Sequence, residues 1–111
     1  MASDSMRPLL KPGDIALLRP VSRGEALDGA VVAVDTDGAT LVHRVVEEHT
    51  SGDITTASLA TGRRDPRRPR TSVLGVVYGI QGRRFSETVI RRSAALLAGA
   101  HFFRRKLITN H

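Results

Sequence analysis

A serine hydroxyl becomes a nucleophile only when an adjacent base takes its proton. Ser5 and one histidine of this sequence are candidates for such a pair. Ser5 stands ahead of Met6-Arg7-Pro8, and Pro8 fixes its own φ while holding Arg7 extended. Pro12-Gly13 then reads as a tight turn, so Ser5 is presented on a short, stiff loop just before the apolar run at residues 15–19. Four histidines could serve as the base: His43, His49, His101 and His111. His49 falls in a polar loop, and His101 and His111 in the tail. His43 differs, because it interrupts an apolar run, Leu41-Val42-His43-Arg44-Val45-Val46. Alternation along a strand puts His43 on one face with Leu41 and Val45, and Arg44 on the other with Val42 and Val46. A histidine on a half-buried face needs partners for its ring nitrogens. Two readings are open: a structural strand histidine, or the general base for Ser5.

Other chemistries find less to work with. The chain has no cysteine, which excludes disulfides and thiolate catalysis. No two histidines have metal-ligand spacing on one element, so neither a metal nor a cofactor is expected. Arg63-Arg64-Asp65-Pro66-Arg67-Arg68-Pro69-Arg70 is a basic, proline-punctuated loop. It could contact nucleic-acid phosphates, but it lacks stacking aromatics and a preceding recognition helix. A solvated loop is the plainer reading.

The elements that must position Ser5 and His43 follow from apolar runs and turn residues. Strands are predicted at residues 15–19, 30–34, 40–46, 54–60 and 73–80. Asp35-Thr36-Asp37-Gly38 marks a hairpin between the second and third. Gly75 and Gly79 inside the last strand predict a bulge or a close backbone approach. Ser86-Glu87 resembles a helix start, a capping serine followed by an acidic first turn. The expected organisation is a mainly β domain over residues 1–85 and a C-terminal helix and tail over 86–111. In the latter, Arg91-Arg92 and Arg104-Arg105-Lys106 bracket an apolar middle. That helix either packs on the sheet or lies in an anionic membrane interface.

Composition agrees with one small domain. The 111 residues are 41% hydrophobic with three Phe, one Tyr and no Trp, so aliphatic side chains must fill the core. The formal charge of +6 favours anionic partners. No signal peptide and no uninterrupted apolar run of the roughly 18–20 residues needed to span a bilayer is visible.

Taken in order, several of these stretches resemble the type I signal peptidase family and the related self-cleaving repressor peptidases. Ser5-Met6-Arg7-Pro8 and Leu10-Lys11-Pro12-Gly13-Asp14 are similar to the family's S-M-x-P followed by G-D. Asp28-Gly29-Ala30-Val31-Val32 is similar to its G-D-x-V-V with the first two positions exchanged. Leu41-Val42-His43-Arg44-Val45-Val46 is similar to the strand that supplies the base. Histidine followed by arginine is the archaeal and endoplasmic-reticulum type, where bacterial enzymes carry lysine. Val73-Leu74-Gly75-Val76-Val77 is like the closing strand, so the resemblance spans roughly residues 3–80.

The resemblance implies a small β-fold and a serine endopeptidase with Ser5 as nucleophile and His43 as base. It implies an oxyanion site from the Ser5 backbone N–H and the Ser3 hydroxyl, and an extended peptide or preprotein substrate with small residues before the cleaved bond. Two departures accompany it. Where the family has a carboxylate-bearing box after the base strand, Gly62 matches, Arg63 stands at the acidic position and Asp65 comes two residues later. Asp65 is then either the third member of a triad, orienting His43, or a loop carboxylate paired with neighbouring arginines. The family also carries a membrane helix before the serine, where four residues stand here; a truncated chain and a soluble variant are both compatible. The rival functions are an inactive binding module on the same fold and a basic nucleic-acid-binding module.

Overall fold

β-Branched and aliphatic runs separated by glycine turns pair into one antiparallel sheet, seen in a computed structural model that describes residues 14–84 and 86–96. The strands are β1 (Ala16–Arg19), β2 (Val31–Thr36), β3 (Ala39–Glu48), β4 (Ile54–Ala57) and β5 (Val73–Ile80). Their order across the sheet is β1-β5-β2-β3-β4. A helix, α1, covers residues 87–96. The described chain is mainly β with a C-terminal helix, as the sequence predicts.

β2 sits at the centre, which explains why Val31-Val32-Ala33-Val34 is apolar on both faces: all four are buried. Val31, Ala33, Val42, Val77 and Ile80 form one core cluster, to which α1 adds Ile90 and Ala94. These two are one helical turn apart, so the helix lays a single stripe on the sheet. Val32, Val34, Val45 and Val76 form the second cluster, closed by Leu27, Ala30 and Ile54. Each buried Val, Leu or Ile side chain contributes roughly 1.5–3 kcal/mol. His43 pairs across with Val32 and shares a face with Val45, so it belongs to the side away from α1.

The hairpin between β2 and β3 closes at Asp37-Gly38, where Gly38 takes a φ of 77°. Both strands run further than predicted, to Thr36 and from Ala39 to Glu48, because pairing continues to the edge of that turn. β4 is shorter than predicted. It ends at Ala57 rather than residue 60, because the chain turns back: Ser58 C=O accepts the Gly62 N–H (2.8 Å) and Ser58 N–H reaches Arg63 C=O (3.0 Å). The basic loop then runs along β4, with bridges Ala57↔Arg64 and Ile54↔Arg68. The sheet edge at β4 is covered by the loop.

Gly75 meets both halves of its expectation. The β2–β5 register skips Leu74 beside it, and a methyl group on Gly75 would lie 2.8 Å from the Arg19 carbonyl oxygen. A second bulge skips Tyr78, next to Gly79. The Ser86 Oγ accepts the Val89 N–H (3.2 Å), capping α1 as predicted. Arg19 fastens this end to the sheet by gripping two carboxylates, Glu25 (2.5 and 3.0 Å) and Glu87 (2.6 and 3.0 Å).

For the tail, the described part of the helix packs Ile90 and Ala94 against the sheet. No helix among the described residues is long and apolar enough to cross a membrane. The second basic bracket, Arg104-Arg105-Lys106, lies outside the described residues.

Candidate active site

His43 is held at mid-strand in β3, only 5% exposed, where its neighbours on the same face are aliphatic. Its polar partner comes from the basic loop. Because that loop runs back beside β4, the Asp65 N–H donates to the Thr56 carbonyl (2.9 Å), which fixes the Asp65 backbone against the sheet. The carboxylate then turns inward. Asp65 Oδ2 accepts from His43 Nδ1 at 2.5 Å and from the Thr56 hydroxyl at 2.6 Å. Thr56 is fully buried and holds Asp65 at both ends, through its carbonyl and its hydroxyl.

This arrangement assigns the imidazole tautomer. A carboxylate can only accept, so Nδ1 carries a proton, and in the neutral ring the lone pair falls on Nε2. A ring oriented in this way can take a proton through Nε2 while the carboxylate stabilises the resulting imidazolium. Of the two readings of Asp65, the geometry favours the partner of His43. Among the described residues its only ion pair is with His43, and the arginines beside it in sequence make none with it.

His49 is occupied differently. Its Nδ1 accepts from Arg67 Nη2 (2.6 Å), and its Nε2 meets the Thr55 hydroxyl (2.8 Å). Both ring nitrogens serve to tie the basic loop to the β3–β4 corner. Arg70 is likewise engaged, donating to the Glu25 carbonyl (2.6 Å). Ser5, Ser3, His101 and His111 lie outside the described residues. Among the described residues, no three His, Asp or Glu side chains are grouped to hold a metal.

Thr56 is the site residue that the sequence does not disclose. Ile54-Thr55-Thr56-Ala57 reads as ordinary β-branched strand, and its hydroxyl has significance only once the loop brings Asp65 beside it.

Electrostatics elsewhere serve the scaffold. The Arg19 hydrogen bond holds the Glu25 carboxyl at about 2, with the Ser22 N–H adding to the effect. Arg19 also depresses the Glu87 carboxyl, and the two carboxylates raise the guanidinium in return. No protein-family model, curated protein or solved structure matches the chain.

Proposed function

We propose that the chain is a serine endopeptidase of the signal peptidase type, with Ser5 as nucleophile, His43 as general base and Asp65 as the residue that orients the base. The observation that carries this reading is Asp65 Oδ2 on His43 Nδ1 at 2.5 Å, backed by the Thr56 hydroxyl. A buried histidine needing only a structural tie could be satisfied by neutral partners on its two ring nitrogens. A carboxylate, itself braced by a buried hydroxyl, is the arrangement that supports a transient imidazolium.

Ser5 Oγ attacks the scissile carbonyl carbon, and its proton passes to His43 Nε2. The Ser5 backbone N–H and the Ser3 hydroxyl stabilise the tetrahedral oxyanion. Collapse breaks the C–N bond as His43 returns the proton to the leaving amine. Water then enters, gives a proton to His43 and attacks the acyl carbon; the C–Oγ bond breaks as His43 returns that proton to Ser5 Oγ, releasing the new carboxyl end and restoring the hydroxyl. Asp65 stays ionised throughout. The substrate is an extended peptide segment with small residues before the cleaved bond, presented as a strand so that its main chain is fixed by hydrogen bonds.

Cleavage of a panel of extended peptides, followed by mass spectrometry, tests the reading. Hydrolysis after small residues is expected for the wild type, falling at least about a thousandfold in Ser5→Ala and in His43→Ala. Peptide binding without any turnover would make the chain a binding module and overturn the assignment.

A further inference from the structure

Alternation along β3 sends Arg44 to the face opposite His43, towards α1. There its guanidinium approaches that of Arg91. A methyl group placed on Gly29 would lie 3.8 Å from Arg44 Nη2 and 3.5 Å from Arg91 Nη2. Two cations, one from the sheet and one from the helix, thus converge on a glycine whose φ is 84° and whose lack of a side chain leaves the approach open.

Arg44 is poorly compensated for its position. Its Nε is buried with no hydrogen-bond acceptor, and no ion pair among the described residues includes Arg44 or Arg91. Arg91 gives one hydrogen bond to the Asp28 carbonyl (2.6 Å) and shares the charge of Glu87, one turn earlier on α1, with Arg19. Arg19 shows the contrast, with a carboxylate on each side of its fork. A buried cationic N–H without an acceptor is costly, and two adjacent guanidinium groups repel unless an anion lies between them. A single carboxylate can give each guanidinium only one oxygen. A tetrahedral phosphate has enough oxygens for both forks, and guanidinium geometry matches it in bidentate fashion.

We infer that Arg44 and Arg91, meeting over the side-chain-free Gly29, form a binding site for a phosphate group. The site lies on the opposite face of the sheet from His43 and is independent of whether Ser5 cleaves peptides. The phosphate is either that of a small soluble molecule or the headgroup of an anionic phospholipid.

The test titrates the full chain with sodium phosphate, against sodium chloride at matched ionic strength. Thermal unfolding and the arginine Nε–H resonances are followed. The expected result is a saturable rise in Tm and a shift of the Arg44 Nε–H signal with phosphate alone. The apparent affinity should fall about tenfold or more in Arg44→Gln and in Arg91→Gln, and stay at the wild-type value in Arg92→Gln. If Arg44→Gln does not fold, Arg91→Gln on the helix decides the matter. A wild type that responds equally to both salts, or an Arg91→Gln response equal to wild type, would overturn the site. Vesicles of phosphatidylglycerol or phosphatidylcholine assign the source. Arg44-dependent binding to phosphatidylglycerol alone identifies the lipid headgroup, and phosphate saturation without vesicle binding identifies a soluble phosphate.

Discussion

Replacing Asp65 by asparagine keeps the shape of the side chain and removes its charge. The carboxylate accepts two hydrogen bonds on one oxygen, from His43 Nδ1 and from Thr56 Oγ1. A hydrogen bond to a charged group contributes roughly 1.5–3 kcal/mol and a neutral one roughly 0.5–1.5. Converting both costs about 2–3 kcal/mol, and partial exposure of the Asp65 side chain (17%) brings this to about 2. Asp65→Ala should cost roughly 1–3 kcal/mol more, because it leaves the Thr56 hydroxyl buried without its acceptor. Urea unfolding followed by circular dichroism measures both, and ¹⁵N chemical shifts of the His43 ring report the tautomer. In wild type the proton should reside on Nδ1, and in Asp65→Asn the population should move towards Nε2. Peptidase turnover should fall by roughly 10³–10⁴ alongside. An Asp65→Asn protein within about 0.5 kcal/mol of wild type, with an unchanged His43 tautomer, would refute the claim that Asp65 organises the histidine.

Two scaffold predictions follow from the same geometry. The Glu25 carboxyl is held at about 2, against an ordinary 4.5, by Arg19; its contribution is therefore complete above pH 4.5 and is lost as pH falls towards 2. Glu25→Gln should lower stability at pH 7 and flatten the decline between those pH values in urea unfolding, and a curve parallel to wild type would contradict this. Gly75→Ala places a methyl group 2.8 Å from the Arg19 carbonyl oxygen and 3.1 Å from Leu18 Cβ, so β1 must shift away from β5. A loss of roughly 1–3 kcal/mol is expected, with faster amide exchange across Ala16–Arg19, and unchanged protection there would count against the close approach.

The strands were legible where burial on both faces left continuous aliphatic runs. β5 matches its predicted bounds, Val73–Ile80, because turn residues flank an uninterrupted stretch. β4 was over-extended, because residues 58–60 are as compatible with a strand as with the turn that Gly62, at a φ of 72°, closes. Strand alternation was enough to separate the faces of His43 and Arg44. It could not tell what meets them, since that depends on the path of a loop. Asp65 stands two residues beyond the position where the family pattern expects a carboxylate. Its contact with His43 arises because the loop folds back along β4, and spacing in the sequence does not encode that path. Thr56 and the Arg44–Arg91 approach were unreadable for the same reason: each needs a partner more than eight residues away.

In the proposed reaction Ser5 is the nucleophile, activated by His43, whose ring Asp65 holds. Labelling with a fluorophosphonate serine probe, with the modified residue located by mass spectrometry, tests it most directly. A single adduct on Ser5 is expected in wild type, with no adduct in Ser5→Ala and labelling slowed by about a hundredfold or more in His43→Ala. Labelling that persists in Ser5→Ala, or proceeds at the wild-type rate in His43→Ala, would contradict it.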